Sequence, residues 1–106
     1  MRINFLTETE YALAEHGKSW DDIDYIVCGN SVFTKPSEIK HMFNFEYEMG
    51  FHYAVRTLIQ IVGNDTNGHW WLERMEYDGQ EWWEFKQKPL PTKNEKYPFD
   101  TFEYHG

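Results

Sequence analysis

Two aromatic stretches separated by Tyr77-Asp78-Gly79-Gln80 constrain this chain more than any other part of it. Asp-Gly between two β-rich runs signals a two-residue hairpin loop, because both central positions of a type I′ turn need positive φ. So tight a loop sets the register. Glu76 faces Glu81, Met75 faces Trp82, Arg74 faces Trp83, Glu73 faces Glu84, Leu72 faces Phe85 and Trp71 faces Lys86. Side chains alternate between faces, so Trp70, Leu72, Trp83 and Phe85 share one face with Arg74. Trp71, Met75 and Trp82 share the other with Glu73 and Glu84. Both faces are rich in aromatics, whereas a small antiparallel sheet normally turns one face to water.

The rest of the chain supplies partners for this hairpin. Residues 51–62 read as a strand whose odd positions, Phe51, Tyr53, Val55, Thr57, Ile59 and Ile61, form a core face, and 63–68 read as a loop. Upstream, Thr7 with Glu10 spells a capping box and Gly17 suits a left-handed C-terminal cap, so a short helix is expected between them. Ser19-Trp20-Asp21-Asp22 reads as a turn or helical start. Residues 23–28 read as a strand closed by Gly29-Asn30, with 31–34 as its return strand. Pro36 opens a second helix, expected to run over 36–49 on the spacing of Ile39, Met42, Phe43 and Tyr47. The fold class is α+β: one or two short helices packed on a small antiparallel sheet that ends in a Trp-rich meander over 51–62, 69–77 and 80–87. A small, mostly β, half-open barrel is the alternative. Residues 1–88 form a single acidic domain, and 89–106 an extended tail rich in Pro, Lys and aromatics.

Charge narrows the function. The 106 residues carry 18 acidic against 10 basic side chains, a formal net charge of -8. The basic groups are too few and scattered to hold a phosphate backbone, so direct nucleic-acid binding is not expected. Anionic membrane is disfavoured by the same sign, and a positively charged partner is favoured. The lone Cys28 excludes an internal disulfide framework and fits a reducing cytosol. The polar N-terminus and the lack of a long apolar run point to a soluble, intracellular protein. No phosphate-binding, dinucleotide, nucleophile-elbow or His-Glu-x-x-His motif is present, and the five histidines are dispersed. No catalytic residue, metal site or cofactor is therefore expected, and Cys28 reads as a core thiol.

The candidate site is the hairpin. Glu73, Glu76, Asp78, Glu81 and Glu84 stand against Arg74 alone, and two cross-strand glutamate pairs carry a folding cost. A few charges suffice to guard a sheet edge, so part of this strip is surplus to protection and reads as an acidic recognition surface. Trp71 and Trp82, on the face opposite Arg74, would anchor it, as aromatics amid charge do at protein interfaces. Residues 8–24 form a second acidic stretch, with Glu8, Glu10, Glu15, Asp21, Asp22 and Asp24 against Lys18.

Residues 45–51, Val62-Gly63 and residues 71–86 (Trp-Leu-Glu-Arg-Met-Glu-Tyr-Asp-Gly-Gln-Glu-Trp-Trp-Glu-Phe-Lys) resemble a functionally uncharacterised family of small acidic proteins. These are encoded by bacteriophages and prophages of Gram-positive bacteria such as streptococci and lactobacilli. The resemblance covers about residues 19–88. It implies a non-enzymatic, anti-CRISPR-type inhibitor acting in the host cell cytoplasm, with a DNA-like acidic surface that occupies the basic nucleic-acid channel of an RNA-guided or restriction nuclease. The competing expectation is a homo-oligomeric accessory phage protein, for example a homodimer, associating through the Trp-rich hairpin.

Overall fold

The computed structural model describes residues 2–48 and 57–89. In chain order the elements are β1 (Arg2–Asn4), α1 (Phe5–Glu15), a 3-10 turn (Trp20–Asp22), β2 (Ile23–Cys28), β3 (Ser31–Phe33) and α2 (Pro36–Ile39). A second 3-10 turn (Lys40–Phe43), β4 (Glu46–Glu48), β5 (Ile59–Asp65), β6 (Gly68–Tyr77) and β7 (Gln80–Pro89) follow. Five strands form an antiparallel sheet in the order β3-β2-β5-β6-β7, and β1 pairs with β4 in a separate two-stranded ribbon. This is the α+β architecture expected, with β5, β6 and β7 as the closing meander.

The hairpin register is the one that Asp78-Gly79 dictates, from Tyr77 opposite Gln80 out to Trp71 opposite Lys86, and it continues to Gly68 opposite Pro89. Asp78 at φ 52 and Gly79 at φ 84 both sit in the left-handed region that a type I′ turn requires. One sheet face, carrying Ile26, Ile59, Ile61, Trp70, Leu72, Trp83 and Phe85, packs against Phe5, Leu13, Ile39, Phe43 and Tyr47 from the helices and the ribbon.

Four expectations are corrected. The first helix starts at Phe5, and its cap is Asn4, whose side chain accepts from the Thr7 N–H at 2.9 Å, in place of the Thr7 cap. That start seats Phe5 in the core and lets buried Thr9 donate to the Phe5 carbonyl at 2.7 Å. The expected 36–49 helix is four α-helical residues and a 3-10 turn ending at Phe43. Ile39 and Phe43 are buried as its spacing implied, but Met42 is exposed. Glu46–Glu48 is a strand because alternation turns Tyr47 inward between two exposed glutamates, with Ile3 as its cross-strand partner.

The third correction concerns 63–68, which is not a loop. β5 runs on to Asp65, the turn is Thr66-Asn67, and β6 starts at Gly68. Gly63 is a strand residue opposite Trp70, and a Cβ there would lie 2.5 Å from both the Trp70 ring and the Asp22 carbonyl. Glycine is present because the indole lies across the strand. Fourth, β7 ends at Pro89, two residues beyond the expected strand end at Gln87. The expected strand over 51–62 is seen from Ile59, with Thr57 and Leu58 exposed before it. Phe51, Tyr53 and Val55, like 90–106, lie outside the described residues.

Candidate binding surface on the terminal hairpin

Of the seven hairpin residues singled out in the sequence, Glu76 and Glu81 have the parity of the core face, Trp71, Glu73, Trp82 and Glu84 that of the outer face, and Asp78 lies in the turn. Glu81 shares the parity of Trp83 and Phe85 and therefore points inward, where it is 3% exposed. Its Oε1 lies 3.4 Å from Nε of Arg74, also buried. Arg74 reaches further: Nη2 donates to Glu8 Oε1 at 3.3 Å and to the Tyr47 hydroxyl at 3.0 Å. Nη1 stands 3.1 Å from Glu8 Oε2, an ion-pair distance without hydrogen-bond alignment. Tyr47 in turn donates to Glu8 at 2.6 Å. The guanidinium lies 4.7, 5.7 and 5.3 Å from the ring centres of Phe5, Tyr47 and Trp83, a cation enclosed by aromatic faces. Burial, followed by the hydrogen bond to Glu8, pushes the Tyr47 phenol up to about 12 against the opposing effect of Arg74. This cluster ties α1, β4, β6 and β7 together. It corrects the expectation that all five hairpin carboxylates lie on an exposed strip.

Glu73 is half-buried on the outer face. It accepts from Gln60 Nε2 at 2.9 Å and from Lys86 Nζ at 3.1 Å. Those two contacts, Gln60's first, hold its carboxyl below the usual carboxylate range. Its charge is largely met within the protein.

Glu76, Asp78 and Glu84 remain exposed. Glu76 Oε2 accepts from the Gly79 N–H at 2.9 Å, which stiffens the turn while leaving the carboxylate in water. Glu76 has the parity of the core face but lies beyond its covered part, while the outer face beside Asp78 and Glu84 carries Tyr77, 75% exposed, and Trp82, 39% exposed, with half-buried Met75 and Trp71 behind. Beneath them Val62, opposite Trp71, is only 4% exposed although it belongs to the face away from the main core. The outer face of the hairpin is thus polarised. Towards the turn it carries Tyr77 and Trp82 with the acids Asp78 and Glu84, and its open end carries Lys86 and Lys88.

The second acidic stretch is dispersed. Glu8 belongs to the Arg74 cluster, and Glu10 meets Lys40 at 3.3 Å and the Trp20 indole at 3.1 Å. Asp22 accepts from the Ser19 N–H at 2.8 Å, and Lys18 pairs with Asp65.

Cys28 is half-buried, and burial pushes its thiol up from the ordinary value. His16 stacks on Phe85 at 4.0 Å, and His69 lies 3.1 Å from Asn64. Among the described residues no three His, Cys, Asp or Glu side chains are grouped to hold a metal ion, and no helix is long and apolar enough to cross a membrane. No family model matches the chain, and no curated protein or solved structure matches it.

Arg74 and Glu81 carry a signal for their pairing in the sequence itself. The alternation that sends Trp83 and Phe85 inward sends Glu81 inward too. A lone Arg74 on an apolar face calls for an acid diagonal to it.

Proposed function

We propose that this protein is a non-enzymatic binding protein that docks the turn end of its terminal hairpin on a positively charged protein surface and so blocks it. One observation carries the reading: Asp78 and Glu84 stay exposed beside Tyr77 and Trp82, with exposed Glu76 on the other side of the hairpin at its turn end, while Glu73 and Glu81 are drawn into internal pairs. Rigid aromatics supply contact area at small entropic cost, and the surrounding carboxylates steer a cationic partner and fix its register. The overall charge of -8 adds to that steering. A cationic surface of this kind is what an enzyme uses to hold a nucleic-acid backbone. The resemblance of residues 19–88 to small acidic phage proteins points to a host defence nuclease as the target, in the host cytoplasm.

The test is a DNA-cleavage assay with a streptococcal RNA-guided nuclease, comparing wild type with Glu76→Gln/Asp78→Asn/Glu84→Gln. All three positions are exposed, and Asn tolerates the left-handed conformation at 78. Wild type inhibits, and the neutralised variant melts like wild type but does not inhibit. Equal inhibition by the two proteins would refute the assignment of these carboxylates.

A further inference from the structure

We infer that the outer edge of β7 pairs antiparallel with β7 of a second copy of this chain, about a two-fold axis at Phe85. β7 is ten residues long, and among the described residues β6 is its one strand neighbour. The two-residue turn makes Tyr77 and Gln80 a hydrogen-bonded pair, so alternate residues, Gln80, Trp82, Glu84, Lys86 and Lys88, direct their backbone groups at β6. The backbone groups of Trp83, Phe85 and Gln87 point away from it. A long edge of this sort is a template for another strand.

Self-pairing must match outward-directed residues with outward-directed residues, which leaves a short series of two-fold registers. Centred on Glu84, the register opposes Glu84 to itself. Centred on Lys86 it opposes Lys86 to itself, and centred on Gln87 it opposes Lys86 to Lys88. Like charges directly opposite are unfavourable. Centred on Trp83 the strands overlap only over 80–86. Centred on Phe85, residues 81–89 of both copies overlap in full. Glu84 then faces Lys86 of the second copy twice over, and Lys88 lies opposite Trp82 twice over. Glu84 and Lys88 are exposed, and neither has a charged partner among the described residues. On the core side Phe85 meets Phe85, an aromatic cross-strand pair. The acid-to-base polarity along β7 is what an antiparallel two-fold uses and what a parallel pairing would set against itself.

The two outer faces would then form one continuous surface, with the hairpin turns at opposite ends, roughly 40 Å apart at about 3.4 Å per residue. This assembly is independent of any other partner, so it is tested on the protein alone. Sedimentation velocity on the full chain should show a dimer at micromolar concentration. Glu84→Lys and Lys86→Glu should each be monomeric, because each opposes like charges, while an equimolar mixture of the two should restore a dimer. Thermal melts of the single variants confirm that each is folded. As a second measurement, Phe85→Cys in a Cys28→Ser background, treated with glutathione disulfide, should cross-link between copies. Two directly opposed residues lie about 5.5 Å apart at Cα, within disulfide reach. Gln87→Cys should not cross-link, since its two copies would stand roughly 14 Å apart. A monomeric wild type, single variants that dimerise as wild type does, or cross-linking that favours residue 87 over 85 would overturn the proposal.

Discussion

Arg74 and Glu81 meet inside the terminal hairpin, Nε to Oε1 at 3.4 Å, with both side chains almost wholly removed from water. They are diagonal neighbours on the sheet, since Arg74 directly faces Trp83 and Glu81 directly faces Glu76. Removing the cation strands Glu81 and Glu8 beside aromatic rings, and breaking a buried pair in this way costs about 3–5 kcal/mol. Arg74→Met should lose stability of that order in urea unfolding. Arg74→Met/Glu81→Met should recover part of it, because fewer buried charges are then left unpaired. A double variant less stable than Arg74→Met would show that Glu81 does not answer Arg74.

The turn offers a second test. Asp78 and Gly79 both have positive φ, at 52 and 84. Gly79→Val forces a β-branched residue into the left-handed region, at a cost of at least about 1–2 kcal/mol. The melting temperature should fall by several degrees. Asp78→Asn, which tolerates that conformation, should leave it nearly unchanged. Equal melting of all three proteins would remove the turn as the source of register.

Gly63 is constrained by space rather than by backbone angle. An added Cβ would meet Trp70 and the Asp22 carbonyl at 2.5 Å, whereas Gly17, at φ +70, has open space around it. Gly63→Ala should therefore cost about 1–3 kcal/mol by overpacking and alter tryptophan emission, since Trp70 must shift. Gly17→Ala should cost about 1–2 kcal/mol through its backbone and leave the emission unchanged. Near-UV circular dichroism with urea melts distinguishes the two.

Acid should weaken the fold at identified places. Lys18 holds the Asp65 carboxyl below its ordinary range, and Gln60 and Lys86 do the same for Glu73. A carboxyl whose folded-state pKa is depressed contributes stability that is complete above the unfolded-state value of about 4 and is lost as pH falls through the lower folded value. Stability should be flat from pH 7 to about 5 and then decline. Asp65→Asn/Glu73→Gln should lower the urea midpoint at pH 7 and reduce the decline below pH 4. An unaltered slope would show that these two groups do not carry the acid response.

The hairpin was legible in the sequence because Asp78-Gly79 fixes it locally, through backbone angles that few residues adopt. What eluded the sequence depends on contacts between distant residues. Asn4 and Thr7 are both good caps three positions apart. The choice between them is made by Phe5, which stacks on Phe45 with ring centres 4.9 Å apart. The helix expected over 36–49 gives way to β4 because Arg2–Asn4 waits more than forty residues upstream to pair with it. Gly63 spelled a loop only until Trp70 was laid over it. At the candidate site, the number of acids was evident but their division was not. Three stay in water, Glu73 is met by Lys86, and Glu81 is internal.

That division is the central claim, and binding as a function of salt tests it most directly. The protein is titrated against an immobilised RNA-guided nuclease free of nucleic acid, for wild type, Glu76→Gln/Asp78→Asn/Glu84→Gln and Glu73→Gln. If the exposed acids form the contact, wild-type affinity falls roughly tenfold or more between 50 and 200 mM salt. Glu73→Gln keeps both affinity and salt slope, and the triple variant loses both. Wild-type affinity that ignores salt, or a triple variant that binds like wild type while Glu73→Gln does not, would contradict it.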